Sequence, residues 1–427
     1  MIASGKLKEN LKAGVYDDRL KELYVSDDVR KHVGRLTALA ERYEACFGEG
    51  QVALFSAPGR TELGGNHTDH QHGCVLTASV NVDMAACAAP NSTNQIRIYS
   101  EGFADETIAA DDLIPKMEEV NQTSALIRGI AAAVQKRGYR IGGFNAVITS
   151  DVPGGSGLSS SAAYETLIGQ IFNHLFCQDE LNPVEIAKIG QYAENVYFGK
   201  PCGLMDQIAT SVGSIVAVDF ADPKEPIVEE ISFSFAECGH CLCIIDVGAD
   251  HADLTCEYAA VPEEMTAAAR LLGKEVLRDV PEDVFFQHIP QLRKELGDRA
   301  VLRGAHFYAD SRRAQLQADA LKKGDFDTFC RISRESGRSS FEYLQNVYPS
   351  GTPQSQGMSV ALMLAEWILG KKGAFRVHGG GFAGTIQAFV PQDRIGEFSS
   401  KMEAVLGAGS CHVLKIRPAG GIVLIKE

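Results

Sequence analysis

The sequence predicts an α+β protein of two lobes with an active site in the cleft between them, and three observations carry that expectation. The 427 residues exceed what one hydrophobic core comfortably holds, so the chain is expected to divide. Apolar runs of strand length alternate with stretches at helical spacing in both halves, without internal repeat or low-complexity tract. One strand-to-helix passage, residues 152–163 (Val-Pro-Gly-Gly-Ser-Gly-Leu-Ser-Ser-Ser-Ala-Ala), is a glycine-rich turn of the kind that meets a ligand between elements.

In order along the chain, residues 1–45 read as amphipathic helical pieces. From Asp27 to Cys46, the positions Val29, Val33, Leu36, Leu39 and Ala40 recur at helical spacing, as in a segment that packs on a core. Residues 51–57 and 74–90, rich in Val, Leu and Ala, read as strands joined by a histidine-containing loop. Residues 106–112 are polar and carry no signal. Residues 124–137 read as a helix and 143–150 as a strand feeding the glycine turn, after which a helix runs to about Phe176. Asn182-Pro183 is a helix start, a cap residue followed by proline at the first helical position. That helix is expected to reach about Tyr197, with Glu194 near its end, before Gly199-Lys200-Pro201 breaks it. Residues 208–220 lead into a further strand, and Ala221-Asp222-Pro223-Lys224 is the expected interdomain turn. Beyond it, 241–247, 374–378, 385–390 and 421–425 read as strands among helices. The expected division is a helical extension 1–45, an N-terminal lobe 46–222 and a C-terminal lobe 223–427.

Composition removes several function classes. Hydrophobic residues at 45% and charged residues at 22% describe a soluble globular chain. A net charge of −14 argues against nucleic acid, whose phosphates need a basic face, but not against ATP, which a few local donors and a metal ion can hold. No apolar run approaches the ~20 residues of a membrane span. Residues 1–18 alternate charges and lack the apolar core of a signal peptide, so a cytoplasmic location is expected. The sequence leaves the oligomeric state open between monomer and weak dimer. The eleven cysteines are odd in number and scattered, and Cys74, Cys87 and Cys177 lie in apolar segments, where a thiol acts as a small hydrophobe. Cys238-Gly239-His240-Cys241-Leu242-Cys243 has the spacing of a redox pair or half a zinc site. A strand follows it instead of a helix and no second ligand pair is near, so structural thiols are expected.

The chemistry concentrates in a few segments. Gly154, Gly155 and Gly157 let the backbone approach a ligand closely. Ser159, Ser160 and Ser161 place hydroxyls and free N–H groups at a helix N-terminus, where the dipole favours an anion. This is the design of a phosphate cradle, although a serine-capped connection is the other reading of this segment alone. It is not a Walker A loop, since no Gly-Lys-Ser/Thr follows. His67, Asp69, His70 and His72 sit within six residues, a spacing that can bind a transition metal, but the flanking Gly64-Gly65 and Gly73 indicate a tight loop, not a helix presenting spaced ligands.

Four segments taken together resemble the GHMP small-molecule kinases, and within them the galactokinases. These are Ala57-Pro58-Gly59-Arg60-Thr61-Glu62-Leu63-Gly64-Gly65-Asn66-His67-Thr68-Asp69-His70, the glycine turn, Cys202-Gly203-Leu204-Met205-Asp206-Gln207, and His378-Gly379-Gly380-Gly381-Phe382-Ala383-Gly384-Thr385. They match G-R-x-N-L-I-G-E-H-T-D-Y, P-x-G-x-G-L-S-S-S-A, C-G-I-M-D-Q and G-G-G-F-G-G in order, within a resemblance spanning about residues 45 to 425. The resemblance implies the two-lobed GHMP kinase fold and ATP-dependent phosphorylation of the anomeric hydroxyl of galactose, giving α-D-galactose 1-phosphate and ADP. It implies Asp206 as the catalytic base and Arg60 beside it, where a fixed cation stabilises charge on the transferring phosphoryl group. It places the sugar against Asn66, His67, Asp69, the backbone of Gly203, and Tyr258. The phosphates fall to Gly154, Gly155, Ser156, Gly157, Leu158, Ser159, Ser160 and Ser161, with Gly380 and Gly381 closing from the other lobe. Magnesium falls to Ser161 and Glu194, hard oxygen donors of the kind Mg²⁺ takes beside water.

The match departs from the pattern in the sugar motif. Galactokinases usually carry Glu where this chain has Asn66, Asn where it has Glu62, and Tyr where it has His70. An amide in place of a carboxylate tolerates a negatively charged ligand group, which opens a 1-kinase for galacturonate or another galactose derivative. The family's Arg-His pair appears as Asp250-His251. A non-catalytic galactose and ATP sensor is the reading from a different class; Ser159–Ala163, Arg60 and Asp206, which such sensors tend to lose in part, are all present.

Overall fold

A computed structural model describes residues 1–248, 254–382 and 384–427. Its first sheet has nine strands built around two long ones. β1 (Ile2–Ala3) pairs with β2 (Gln51–Gly64), which pairs with β3 (Cys74–Pro90). β4 (Gln95–Ser100), β5 (Glu106–Ala109) and β6 (Phe144–Ser150) extend the sheet in the order β3-β6-β4-β5. β7 (Ile215–Asp219) pairs with the first part of β3, and β8 (Ile227–Ile231) with β7.

Residues alternate between the two faces of a strand, so β2 and β3, apolar on both, must be covered twice. Val52, Leu54, Ala85 and Cys87 pack against the extension, formed by α1 (Ser4–Lys12), α2 (Asp17–Tyr24) and α3 (Arg30–Phe47). Ala53, Phe55, Ala86 and Ala88 pack on the other side, with α4 (Thr123–Lys136) and α5 (Ser160–Phe176). α6 (Pro183–Ala193) starts as expected, Asn182 and Glu185 forming a reciprocal capping box, and leads through a π turn (Glu194–Phe198) to α7 (Met205–Val212).

The second sheet runs β10-β11-β9-β12, made of β9 (His240–Asp246), β10 (Ala374–His378), β11 (Thr385–Pro391) and β12 (Cys411–Leu414). Between β9 and β10 come α8 (Thr255–Leu271), α9 (Glu282–Gln287), α10 (Ile289–Leu296), α11 (Asp298–Lys322), α12 (Phe326–Ser339) and α13 (Gly357–Leu369). α14 (Ile395–Leu406) joins α13 in backing this sheet. β13 (Ile422–Ile425) then returns to the first sheet and pairs with β2.

The topology corrects two expectations. Ala221-Asp222-Pro223-Lys224 is the turn of the β7–β8 hairpin inside the first sheet, so the chain crosses between sheets after β8 and not at residue 222. The segment after β12 belongs with the N-terminal lobe through β13, so that lobe is not one continuous stretch, whereas the strands of the second sheet all fall between β8 and β13. The polar stretch near residue 106 holds the short strand β5, an addition at the end of the β3-β6-β4-β5 path that needs little apolar character. All eleven cysteines are free, Cys241 and Cys243 lying on β9. Among the described residues no helix is long and apolar enough to cross a membrane.

Candidate active site

Arg60 lies on β2 where the pairing with β3 shifts register between Pro58 and Arg60, an irregularity that re-aims the side chain out of strict alternation. Its Nε donates to Asp206 Oδ1 at 2.6 Å and its Nη2 to Oδ2 at 2.7 Å, while Nη1 donates to the Gly157 carbonyl. Asp206 stands in the first turn of α7, where the helix dipole favours an anion. Ser159 Oγ donates to its Oδ2 at 2.8 Å. Burial pushes the Asp206 carboxyl up, but the Arg60 charge and hydrogen bonds, with Ser159, outweigh it and hold it below the ordinary carboxylate value. The arginine side chain is 8% exposed and the carboxylate 29%, so the carboxylate is the member that opens outward. Oδ2 accepts two bonds, whereas Oδ1 accepts one and keeps a lone pair available.

Because the Ser159 hydroxyl is engaged with Asp206, it does not cap α5, and the first amides of that helix stay available to an anion. Ser159 itself takes a left-handed conformation, φ 55°. Gly154 and Gly155 are exposed, while Ser156 is buried with its hydroxyl on the Pro153 carbonyl at 2.7 Å. Gly157, φ +67°, has no room for more: a Cβ would lie 2.7 Å from Thr385 Oγ1 and 3.1 Å from His378 Nδ1. Thus the glycine turn of the first lobe abuts the β10–β11 loop of the second. Leu158 is buried and its carbonyl accepts from the Arg60 amide at 2.9 Å. Ser160 and Ser161 lie in the first turn of α5, half-buried.

The sugar motif gathers beside this pair. A Cβ on Gly203 would stand 1.8 Å from Asp69 Oδ2, so the absence of a side chain there is what lets the Asp69 carboxylate occupy its place against the Cys202–Gln207 segment. His67, φ 59°, sets its Nε2 3.1 Å from the Gly380 carbonyl. Burial holds its pKa down at about 3, so the ring is neutral near pH 7. A carbonyl only accepts, which assigns the proton to Nε2 and leaves Nδ1 as an acceptor. Tyr258 donates to the Gly381 carbonyl at 3.0 Å and meets Phe382 edge-on. Asn66 differs from the expectation: it is 0% exposed and bonded on all sides within the protein. The structure therefore places its amide behind the motif, not at an open surface. Among the described residues no three His, Cys, Asp or Glu side chains gather as a metal site would require.

Glu194, 3% exposed, opens the π turn with Oε1 3.2 Å from Lys200 Nζ and Oε2 3.0 Å from Gln207 Nε2. The same Gln207 nitrogen donates to Glu165 Oε2 at 2.9 Å. Glu165 lies one turn beyond Ser161 on α5, so the shared amide brings the Ser161 face of that helix and Glu194 to one region. Burial, then the nearby Glu194 charge, pushes Glu165 well above the ordinary carboxylate value. Sequence reasoning singled out neither Glu165 nor a role for Gln207, although Gln207 closes the Asp206 motif. His378, which opens the last of the four motifs but has no individual role in the sequence reading, is a buried neutral ring whose Nδ1 faces Thr385 at 2.9 Å and whose Nε2 faces Thr61 at 3.1 Å. Asp250 and His251 lie outside the described residues.

Residues 125–214 match the family profile of the GHMP kinases N terminal domain, and residues 41–90 that of the galactokinase galactose-binding signature. A galactokinase of Glaesserella parasuis serovar 5 is 31% identical over 360 residues, covering 83% of this chain and 89% of that protein. One from Actinobacillus pleuropneumoniae serotype 5b is 30% identical over 362 residues, with the same two shares, 83% and 89%. The fold matches that of Lactococcus lactis galactokinase complexed with galactose at TM-score 0.79 and 24% identity, covering 91% of this chain and 100% of that one. Methanococcus jannaschii mevalonate kinase shares the fold more loosely, at TM-score 0.61 and 13% identity over 86% of this chain and 99% of that one. With the Arg60–Asp206 pair, the glycine turn and the sugar motif brought together on this two-lobed fold, the chain belongs to the galactokinase family of the GHMP kinases.

Proposed function

We propose that this chain is a galactokinase, transferring the γ-phosphoryl group of ATP to the anomeric hydroxyl of galactose to give α-D-galactose 1-phosphate and ADP. The observation that carries the reading is the forked Arg60–Asp206 pair, with Ser159 of the glycine turn bonded to the same carboxylate. The anomeric oxygen forms the new P–O bond as the bond from the γ-phosphorus to its bridging oxygen breaks, and ADP departs. The hydroxyl proton goes to Asp206 Oδ1, which has a lone pair left to take it. A carboxylate held at low pKa is a weak base, but a loose phosphoryl transition state asks for little early proton removal. Arg60 then counters charge building on the phosphoryl oxygens without reorganising, being already fixed.

Asp69, the Gly203 backbone, His67 Nδ1 and Tyr258 would bound the sugar, the first two being in contact across the glycine. The turn 154–161, the open amides of α5, and Gly380 and Gly381 would hold the phosphates. Ser161 and Glu194 fit magnesium: both offer hard oxygen, and the Glu194 carboxylate is already presented to a cation, the Lys200 ammonium. Bound there with waters and phosphate oxygens, the metal would neutralise phosphate charge that the lysine-poor cradle leaves uncovered. Eleven free thiols fit a reducing compartment, the cytoplasm.

The test is a coupled ADP-release assay with ATP and Mg²⁺ on galactose, galacturonate and N-acetylgalactosamine, run beside galactose calorimetry. Wild type should turn over galactose, and Asp206→Asn should lose about 10²–10⁴-fold in kcat with galactose binding retained. Near-normal turnover by that variant, or wild-type silence on galactose, would sink the proposal.

A further inference from the structure

The Asn66 side chain ties together parts of the chain far apart in sequence. Its Nδ2 donates to Glu62 at 3.1 and 3.2 Å and to the Gly379 carbonyl at 2.8 Å. Its Oδ1 accepts from Asn346 Nδ2 at 2.9 Å and Ser340 Oγ at 3.2 Å. Two donors and two acceptor sites are all an amide has, so nothing remains for a sugar hydroxyl. Behind it, Glu62 pairs with the buried Arg376 at 2.6 Å, so the carboxylate of this corner is neutralised from β10 and is itself turned away from solvent.

The Gly379 contact has a geometric consequence. Three successive carbonyls of the loop after β10 are each gripped by a side chain: Gly379 by Asn66, Gly380 by His67 and Asn346, Gly381 by Tyr258. In a planar trans peptide the N–H points opposite to the preceding C=O. Pulling the Gly379 and Gly380 carbonyls toward the sugar motif therefore turns the Gly380 and Gly381 amides to the other side. Successive backbone amides fixed in this way make an anion-binding concavity.

We propose that Asn66 is a positioning residue for phosphate binding, not a sugar contact: by clasping the Gly379 carbonyl it aims the Gly380 and Gly381 amides at the nucleotide phosphates. Substrate discrimination at the sugar's C6 position then lies with other residues, and an Asn at position 66 does not by itself admit a uronic acid. The clasp makes the sugar motif and the nucleotide loop one mechanical unit. It rests on the galactokinase reading for the identity of the sugar and for the placement of the ATP phosphates against Gly380 and Gly381.

The experiment compares wild type, Asn66→Ala, Asn66→Glu and Asn346→Ala. It measures steady-state kinetics on galactose and 6-deoxygalactose at varied ATP, ATP calorimetry, and hydrogen exchange of residues 379–382. Asn66→Ala should raise the KM for ATP about tenfold, the loss of one buried hydrogen bond, and leave the ratio of kcat/KM for the two sugars unchanged. Asn346→Ala, which removes a bond to both Asn66 and Gly380 away from the sugar motif, should act in the same direction. Asn66→Glu should be the worst of the three, since a carboxylate would face the Gly379 carbonyl and the Glu62 charge. A mere loss of folded protein would lower kcat and leave KM alone. A tenfold change in the sugar ratio with an unchanged KM for ATP would overturn the proposal and make Asn66 a sugar contact. Wild-type silence on both sugars would defeat the galactokinase reading, while ATP calorimetry and exchange would still decide the clasp; Asn346→Ala does so where Asn66→Ala does not fold.

Discussion

Arg60 has donors on all three guanidinium nitrogens, and each nitrogen is engaged: two hold Asp206 and one holds the Gly157 carbonyl. One side chain thus fixes the Asp206 carboxylate, the proposed base, and the glycine turn relative to each other. A lysine would keep the charge but not the planar fork, so Arg60→Lys should lower kcat about 10²-fold or more with a small change in sugar affinity. The pH profile gives an independent readout. In wild type the Arg60 charge overrides burial and keeps the carboxyl ionised below its ordinary value of about 3.9. Catalysis that needs the carboxylate, and the stability the pair contributes, are therefore complete above that pH and lost as pH falls through the lower folded value. With the fork gone, burial regains weight and the acid limb of kcat/KM should move upward. An unmoved limb in Arg60→Lys would show that Ser159 and the α7 dipole hold the charge without it.

The elements meet through glycines that carry no spare volume. At Gly157 a methyl group would need the left-handed conformation and would strike Thr385 and His378 of the opposite loop. Gly157→Ala should destabilise by about 1–3 kcal/mol in urea melts and raise the KM for ATP well beyond that for galactose. Equal effects on both substrates would mean that the glycine turn and the sugar motif do not move separately. Such contacts explain what the sequence could and could not disclose. The glycine turn and its serines were legible because their spacing records local chemistry, the pairing of Arg60 with Asp206 only through the family resemblance, and β2, β3, β9 to β11 and β13 because apolar runs record burial. The boundary at residue 222 was misplaced because a Pro-containing turn looks alike in a hairpin and between lobes; only the pairing of β8 with β7 separates the two. The role of Asn66 was illegible for a deeper reason. Its partners Gly379, Asn346 and Ser340 lie some 300 residues away in the chain, and no local pattern encodes a bond at that separation. Glu165 was missed likewise, as a buried polar group in a largely apolar helix.

At the scale of the whole molecule, the extension 1–45 is bound into the machinery through a buried charge. Asp83 on β3, 0% exposed, accepts from Tyr24 at 2.8 Å and Arg417 at 3.1 Å, and also from Arg35 and Ser56. Those partners come from α2, α3, β2 and the returning C-terminal segment, so the carboxylate joins both ends of the chain to the central sheet. The same Arg35 reaches Asp151 at 3.3 Å, where Lys31 adds a second cation at 3.2 Å. Asp151 is the residue before the glycine turn, and its amide donates to the Asp83 carbonyl at 2.9 Å. The extension therefore braces the base of the glycine turn in addition to covering an apolar face. Removing one partner of a buried ion pair leaves charge uncompensated, so Arg35→Met should cost about 3 kcal/mol in urea melts, Arg417 limiting the loss. Asp151→Asn touches only the partly exposed end of the network and should cost about 1 kcal/mol or less. Its expected signature is kinetic, a few-fold rise in the KM for ATP with galactose affinity intact. Were Arg35→Met as stable as wild type, and Asp151→Asn without effect on the nucleotide, the extension would be a cover for the sheet and nothing more. A rise in the KM for ATP in both variants would instead tie the first 45 residues to nucleotide binding through a path of contacts that never touches the nucleotide.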